Sequence, residues 1–417
     1  MKKKVLIIGN SAKDYALAKK MSEKYQVFVA PGTDAIKEFA TVLDIREDAV
    51  NDLLEFAMEN GIDITLPTSK KVLNTNIVEI FSRNNLAIFA PNFNISKNLF
   101  DKVLVKKLLY KLKIPTSKFG IFEKQNMAID YIKNIKTPFV IKTKEDSSAV
   151  ILTSQNSAKM ILDSIFAQKE QKVLIEDYVW GTPFSFYVIT DGYKALPIGS
   201  SILYKHVLEG DGGQLTSGMG ACSPNYKLTY NNEEFLMNNV IYPIIEHFER
   251  EGAPYLGILS VNCILTEEND IQVLGFKPFM QDADASAVLN LLDIDLLSLV
   301  DSCLVGSFSD EIEYIPQKDL TATSLVLTCR NKENVENSIN GIDNLDDTLS
   351  VDFYPSVTKN KYLEFEAKTG PVLVLTAYGS TITRAKLKVY EEAETISFNG
   401  LWYRKDICKP LISEALH

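Results

Sequence analysis

Residues 4–8 (KVLII), a lysine followed by four apolar residues, form a short buried-type strand, stopped by a turn at Gly9-Asn10-Ser11. Ala16, Leu17 and Met21 then fall on one face of a helical segment. The same alternation continues through strand-like 25–32 (YQVFVAPG), helix-like 47–61, strand-like 63–67 (DITLP), helix-like 73–85 and strand-like 86–91 (LAIFAP). Strands and helices taking turns in this way predict parallel α/β units, and hence a doubly wound domain over residues 1–100.

The pattern then changes. A helix is expected from Lys102 to Leu112, ending before Ile114-Pro115, and the chain returns to strand at 137–142. Further strands are expected at 172–179, 183–190 and 256–265, with a glycine-rich turn at 210–220 and a long helix over 233–251. This predicts an α+β unit of mixed strands over 101–320. Strand-like 323–330, 348–355, 362–367 and 371–379, a helix at 383–393 and a last strand at 395–400 predict a small β-rich C-terminal domain, 321–417.

Composition narrows the function classes. Of 417 residues, 44 are basic and 54 acidic, a net charge of −10 that leaves no basic domain for a nucleic-acid backbone. The basic start runs into only four apolar residues before Gly9, and no apolar run approaches the length of a membrane span. The expectation is a soluble cytoplasmic protein that works on small molecules, with no nucleic-acid or membrane partner and an oligomeric state left open. Five widely spaced cysteines argue against a disulfide framework or a zinc ribbon, and for a reducing compartment. With three histidines, a histidine metal site or a serine–histidine triad is nearly excluded. The motifs GxSxG, GxxxxGK[ST], HExxH and CxxC are absent.

Four segments carry a resemblance. GDGGQLTSGMGACSP (210–224) and GAPYLGILSVNCILT (252–266), with TGPVLVLTAYGSTITRA (369–385) and WYRKDI (402–407), resemble segments of the phosphoribosylamine–glycine ligase family, members of the ATP-grasp superfamily. Weaker matches, VAPG at 29–32 and IPT at 114–116, keep the same order. The resemblance spans nearly the whole chain and implies an N-terminal α/β domain, central ATP-grasp lobes and a β-rich C-terminal domain. It implies a reaction in which ATP activates glycine as an acyl phosphate and the amine of phosphoribosylamine displaces the phosphate. By its motifs, Lys102 and Lys142 face the nucleotide phosphates and Glu176 lies beside the adenine edge, with Lys205, Asp211 and Asp282 at the substrates.

The departures from the family pattern are selective. The segment after Lys142, 143–152, has no glycine and carries Glu145 and Asp146, which suits a phosphate cradle poorly. Gly275 and Lys277 stand where the resemblance implies a glutamate and an asparagine on Mg²⁺. Neither is an oxygen ligand, so no metal ligand is assigned and Mg²⁺ is argued against while ATP is retained. Phe279 replaces an arginine, Asp284 a glutamate, and 181–183 (GTP) replaces GEE. Three functions stay open: a family member with degraded metal and phosphate sites that turns over weakly or not at all, a working ligase, and an ATP-grasp ligase for other substrates.

Overall fold

The computed structural model describes residues 2–143, 149–167, 172–306, 308, 312–331 and 337–408. The first strand, β1 (Lys4–Gly9), lies between β2 (Gln26–Pro31) and β4 (Ile64–Pro67), with the short β3 (Thr41–Val42) beyond β2; every pairing is parallel. The apolar run is continuous because β1 is covered on both faces. Val5 and Ile7 pack with α1 (Ala12–Ser22), while Leu6 and Ile8 pack with Leu53 and Ala57 of α2 (Val50–Asn60). Helices α3 (Lys70–Leu73), α4 (Ile77–Arg83) and α5 (Phe93–Phe100) complete this part. The expected strand at 86–91 is not formed as such. Thr65 bridges Ile88 once, in parallel, and the chain turns away at Pro91, whose ring cannot donate to a ladder.

Helix α6 (Lys102–Lys111) leads to a four-stranded antiparallel sheet of β5 (Phe119–Phe122), β6 (Phe139–Lys142), β7 (Val150–Leu152) and β8 (Val173–Asp177), in the order β5-β8-β6-β7. Ala128 and Ile132 of α7 (Gln125–Ile132) and Ala158 and Leu162 of α8 (Gln155–Phe166) cover it.

A larger antiparallel sheet carries the rest. Its order is β15 (Ile271–Lys277), β14 (Gly257–Leu265), β9 (Thr182–Thr190), β10 (Ala195–Leu203), β13 (Gly220–Ser223), β16 (Thr321–Cys329), β20 (Gly370–Gly379) and β17 (Ser350–Phe353), with β21 (Leu401–Trp402) paired to β16. The sheet therefore runs on across residue 320. Between β10 and β13 the glycine-rich segment makes a ribbon of β11 (His206–Leu208) and β12 (Gly212–Leu215) rather than a plain turn. A second ribbon joins β18 (Thr358–Lys359) and β19 (Phe365–Glu366), which is all the strand that 362–367 contains. The helix expected at 233–251 is α9 (Tyr230–Leu236) and α10 (Tyr242–Arg250), joined through a π-helical turn at Met237–Ile241. The loops after β15 lead into α11 (Ala285–Leu289) and α12 (Leu296–Val305), and α13 (Ile382–Ala393) follows β20. The last strand lies at β21 instead of 395–400, where only Ser397 bridges, to Asn340.

The cysteines need a correction. Cys263, Cys303 and Cys329 are free and buried, but Cys222 and Cys408 are joined as a disulfide across 186 residues, with their Cα atoms 6.5 Å apart. An odd count and wide spacing exclude a dense framework, not one bridge between distant segments.

Candidate functional site

Two of the residues singled out from the sequence meet at the small sheet. β6 and β8 are antiparallel neighbours, and Lys142 at the end of β6 places its Nζ 3.0 and 3.1 Å from the two carboxylate oxygens of Glu176 on β8. A third group joins them. Lys106 of α6 brings its Nζ to 3.2 Å from Glu176 Oε2, donates to Ser117 Oγ at 3.0 Å and to Thr116 Oγ1, and lies over the Phe119 ring. Ser117 Oγ in turn donates to Glu176 Oε2 at 3.0 Å. Lys106 and Glu176 are only 1% and 2% exposed. Burial alone would raise the Glu176 pKa, but Lys142 and Lys106 outweigh it and hold the carboxyl below its ordinary range. Burial pushes the Lys106 ammonium down to about 8, assisted by Lys142 and opposed by Glu176. At neutral pH two ammoniums face one carboxylate, so the cluster keeps a surplus positive charge, the donor chemistry that a polyphosphate fits. Lys102 begins α6 one turn before Lys106 and so projects from the same helix face. Glu176 is thus walled in between cations.

The cluster is tied to the end of the large sheet. Thr116 Oγ1 donates to the carbonyl of Val273 at 2.6 Å, and Val273 N donates to Pro115 O at 2.8 Å. Gly275 lies two residues further along β15, and a Cβ added there would come 3.8 Å from Val105 of α6, an ordinary contact. Gly275 pairs with Asn262 beside a register shift, and Lys277 pairs with Ser260. Gly275 offers no side-chain ligand and Lys277 offers a cation, so these two positions do not fit Mg²⁺, which takes oxygen ligands. Among the described residues, no three histidine, cysteine or acidic side chains converge as a metal site. Glu145 and Asp146 lie outside the described residues.

A second charged group surrounds the β1–α1 turn. Lys13 places Nζ 2.6 Å from Ser11 Oγ, 3.5 Å from Asp14 and 3.9 Å from Asp282, and its backbone N–H donates to Asp282 Oδ1 at 3.0 Å. Asp14 is fully buried and accepts from Ser11 and Thr68. Gly9 is required here, because a Cβ would collide with Thr68 Oγ1 and the Asp14 carboxylate. Phe279 lies under the Lys13 ammonium, 5.2 Å from ring centroid to Nζ, and packs on Phe100. A cavity of about 60 Å³ opens beside it, lined by Lys13, Asp14, Thr68 and Phe279 and otherwise mainly apolar.

Lys205 follows β10, on the stretch that leads to the β11–β12 ribbon. Its charge reaches Asp284, which is fully buried and accepts from Tyr187 Oη at 2.9 and 2.8 Å and from Ser201. Burial pushes the Asp284 carboxyl up to about 6 against those hydrogen bonds. Asp211 sits in the ribbon and is gripped by Arg404 from the C-terminal segment, Nη1 to Oδ1 2.9 Å. The sequence reading singled out neither Lys106, Ser117, Lys13 nor Arg404 as a site residue. Lys106 carried a signal, its four-residue spacing from Lys102; Arg404 lay in the resembling segment 402–407, but nothing in the sequence pointed to its partner 193 residues away.

The strand orders of the small antiparallel lobe and of the large sheet tied to it make this an ATP-grasp architecture. Residues 3–97, 100–285 and 331–410 match the sequence profiles described as "Phosphoribosylglycinamide synthetase" N domain, ATP-grasp (A) domain and C domain. The chain belongs to the phosphoribosylamine–glycine ligase family. It is 31% identical to the phosphoribosylamine–glycine ligase of Neisseria meningitidis serogroup A over 98% of this chain and 100% of that one, and 28% identical to that of Caldanaerobacter subterraneus over 97% and 99%. Among solved structures, phosphoribosylamine–glycine ligase from Thermotoga maritima superposes with a TM-score of 0.81 at 21% identity, covering 97% of this chain and 100% of that one. The biotin carboxylase domain of a Hydrogenobacter thermophilus 2-oxoglutarate carboxylase, in complex with MgADP, superposes with a TM-score of 0.71 at 14% identity over 96% and 92%. Among the described residues, no helix is long and apolar enough to cross a membrane.

Proposed function

We propose that this chain is a cytoplasmic phosphoribosylamine–glycine ligase family member that keeps the nucleotide-facing cations and has lost the metal ligands. It binds ATP and small-molecule substrates, and it turns over the family reaction weakly or not at all. Lys102, Lys142 and Glu176, joined by Lys106, hold the nucleotide, whereas Lys205, Asp211 and Asp282 serve the substrates. The observation that carries the reading is the end of β15: no carboxylate stands at Gly275 or Lys277, while two lysines remain on Glu176 of β8. Transition-state charge in phosphoryl transfer is stabilised mainly by positioned cations and metal, so the loss falls on the chemical step.

The test is ADP release with glycine and freshly generated phosphoribosylamine, beside an intact relative. Because one donor of this kind is worth about 3 kcal/mol, and metal ligands and phosphate donors are lost together, turnover is expected at least ~10³-fold lower. Turnover within tenfold of the relative removes the reading. The double change Gly275→Glu with Lys277→Asn has room at position 275 and is expected to raise Mg²⁺-dependent turnover. The second reading, a working ligase, draws on the assembled Lys13–Asp282 and Tyr187–Asp284–Ser201 groups. The third, other substrates, draws on Phe279 under Lys13.

A further inference from the structure

The C-terminal segment 404–408 holds the glycine-rich ribbon, and the disulfide holds that segment. Arg404, 1% exposed, donates Nη1 to the carbonyl of His206 at 3.1 Å and to Asp211 Oδ1 at 2.9 Å. Its Nε and Nη2 each lie 2.7 Å from Asp406, whose Oδ2 accepts from the backbone N–H of Gly210 at 2.8 Å. Lys405 N donates to Glu209 Oε1 at 3.2 Å. The ribbon needs this support: Gly210, Asp211 and Gly213 have φ of +64°, +54° and +77°, and Asp211 is the one that is not glycine. Two residues beyond Asp406 lies Cys408, bonded to Cys222 on β13, the strand that follows the ribbon. A Cα separation of 6.5 Å is within the span a disulfide bridges. The other three cysteines are free and buried.

We propose that Cys222 and Cys408 form a redox-controlled latch: their disulfide clamps residues 404–408 against β13 and, through Arg404 and Asp406, fixes the ribbon 206–215. The bridge forms by exchange with a low-molecular-weight disulfide such as oxidised glutathione. One thiolate attacks its S–S bond and expels one thiol; the second protein thiolate displaces the other. Two protein thiols and one disulfide thus become one protein disulfide and two small thiols, which receive both protons and both electrons. Both sulfurs are buried, so exchange proceeds through lifting of the segment and is slow in the folded protein. Reduction leaves the hydrogen bonds but removes the covalent tether, and the ribbon opens more often.

Thiol counting and amide hydrogen exchange on the full chain test this. After equilibration with oxidised glutathione, the unfolded, unreduced protein is expected to label three cysteines, and after dithiothreitol all five. Reduction is expected to speed exchange of the 206–215 amides at least tenfold while strand Lys4–Gly9 keeps its protection, and Cys408→Ser should show the fast rate with or without reductant. Five labelled thiols after the oxidant, a bridge mapped to another pair, unchanged ribbon exchange, or equal acceleration in Lys4–Gly9 each overturn the latch. Wild-type protein in its two redox states decides the matter even where the variant does not fold.

Discussion

Glu176 shows how far single residues were legible. Its position on a strand, and those of Lys102 and Lys142, followed from motif order, but the contacts that define its chemistry come from Lys106 and Ser117, which no motif flagged. The pH dependence of Lys106 is a direct check. Its ammonium titrates near 10.4 in the unfolded chain and at about 8 in the fold, so between those values the unfolded state holds the extra proton and stability rises with pH. Lys106→Met is expected to abolish that rise, measured as the unfolding free energy in urea between pH 8 and pH 10; an identical slope in the variant contradicts the cluster. Asp352 behaves in the opposite sense. It is 1% exposed, and burial pushes its pKa up to about 7 against the Ser286 hydroxyl and the Lys19 charge. Here the folded state holds the extra proton between about pH 4 and 7, so stability falls as pH rises through that window. Asp352→Asn should therefore gain on wild type in melting temperature between pH 5.5 and pH 8, and a constant difference across that range counts against the assignment.

At the scale of elements, apolar runs were read well where a partner strand existed and badly where none did. β1, β2 and β4 were plain because both faces of each are covered. Residues 86–91 are a continuous apolar run and 395–400 alternate apolar with polar, yet each finds only one bridging residue, since burial decides the pattern while pairing needs a neighbouring edge with matching register. Helix α6 was legible from its start, and its start also sets the site. Asp101 caps it, Oδ1 accepting from Val103 N at 2.9 Å and Leu104 N at 3.2 Å, immediately before Lys102 and a turn before Lys106. Asp101→Ala is expected to lower stability by about 1 kcal/mol and to weaken ATP binding more than an equal loss elsewhere. Chemical denaturation and an ATP titration read the two effects. Unchanged affinity in a destabilised variant would separate the cap from the site.

For the whole molecule, the boundary expected near residue 320 meets a sheet that does not stop there. β13 pairs with β10 through only Ile202–Cys222 and Leu203–Ala221, but with β16 through four positions, Gly220 to Ser223 against Leu325 to Ala322. Apolar side chains from all three parts share one core, in which Ile7, Tyr187 and Leu375 are fully buried, and Tyr15 of α1 packs edge-on to Phe353 of β17 at 5.6 Å. Sequence periodicity reports which residues are buried but not which part of the chain covers them, so this junction was invisible until the strands were placed. A chain ended at 320 would leave β13 as an edge strand held only by β10, uncover Tyr15 and remove the segment that holds Asp211. It is expected to associate or aggregate, and to lose the cooperative melt of the full chain, as read by size-exclusion chromatography and calorimetry. A monomeric 1–320 with an unchanged melting temperature would instead make residues 321–417 a separable domain, and the shared sheet a docking contact between two folds.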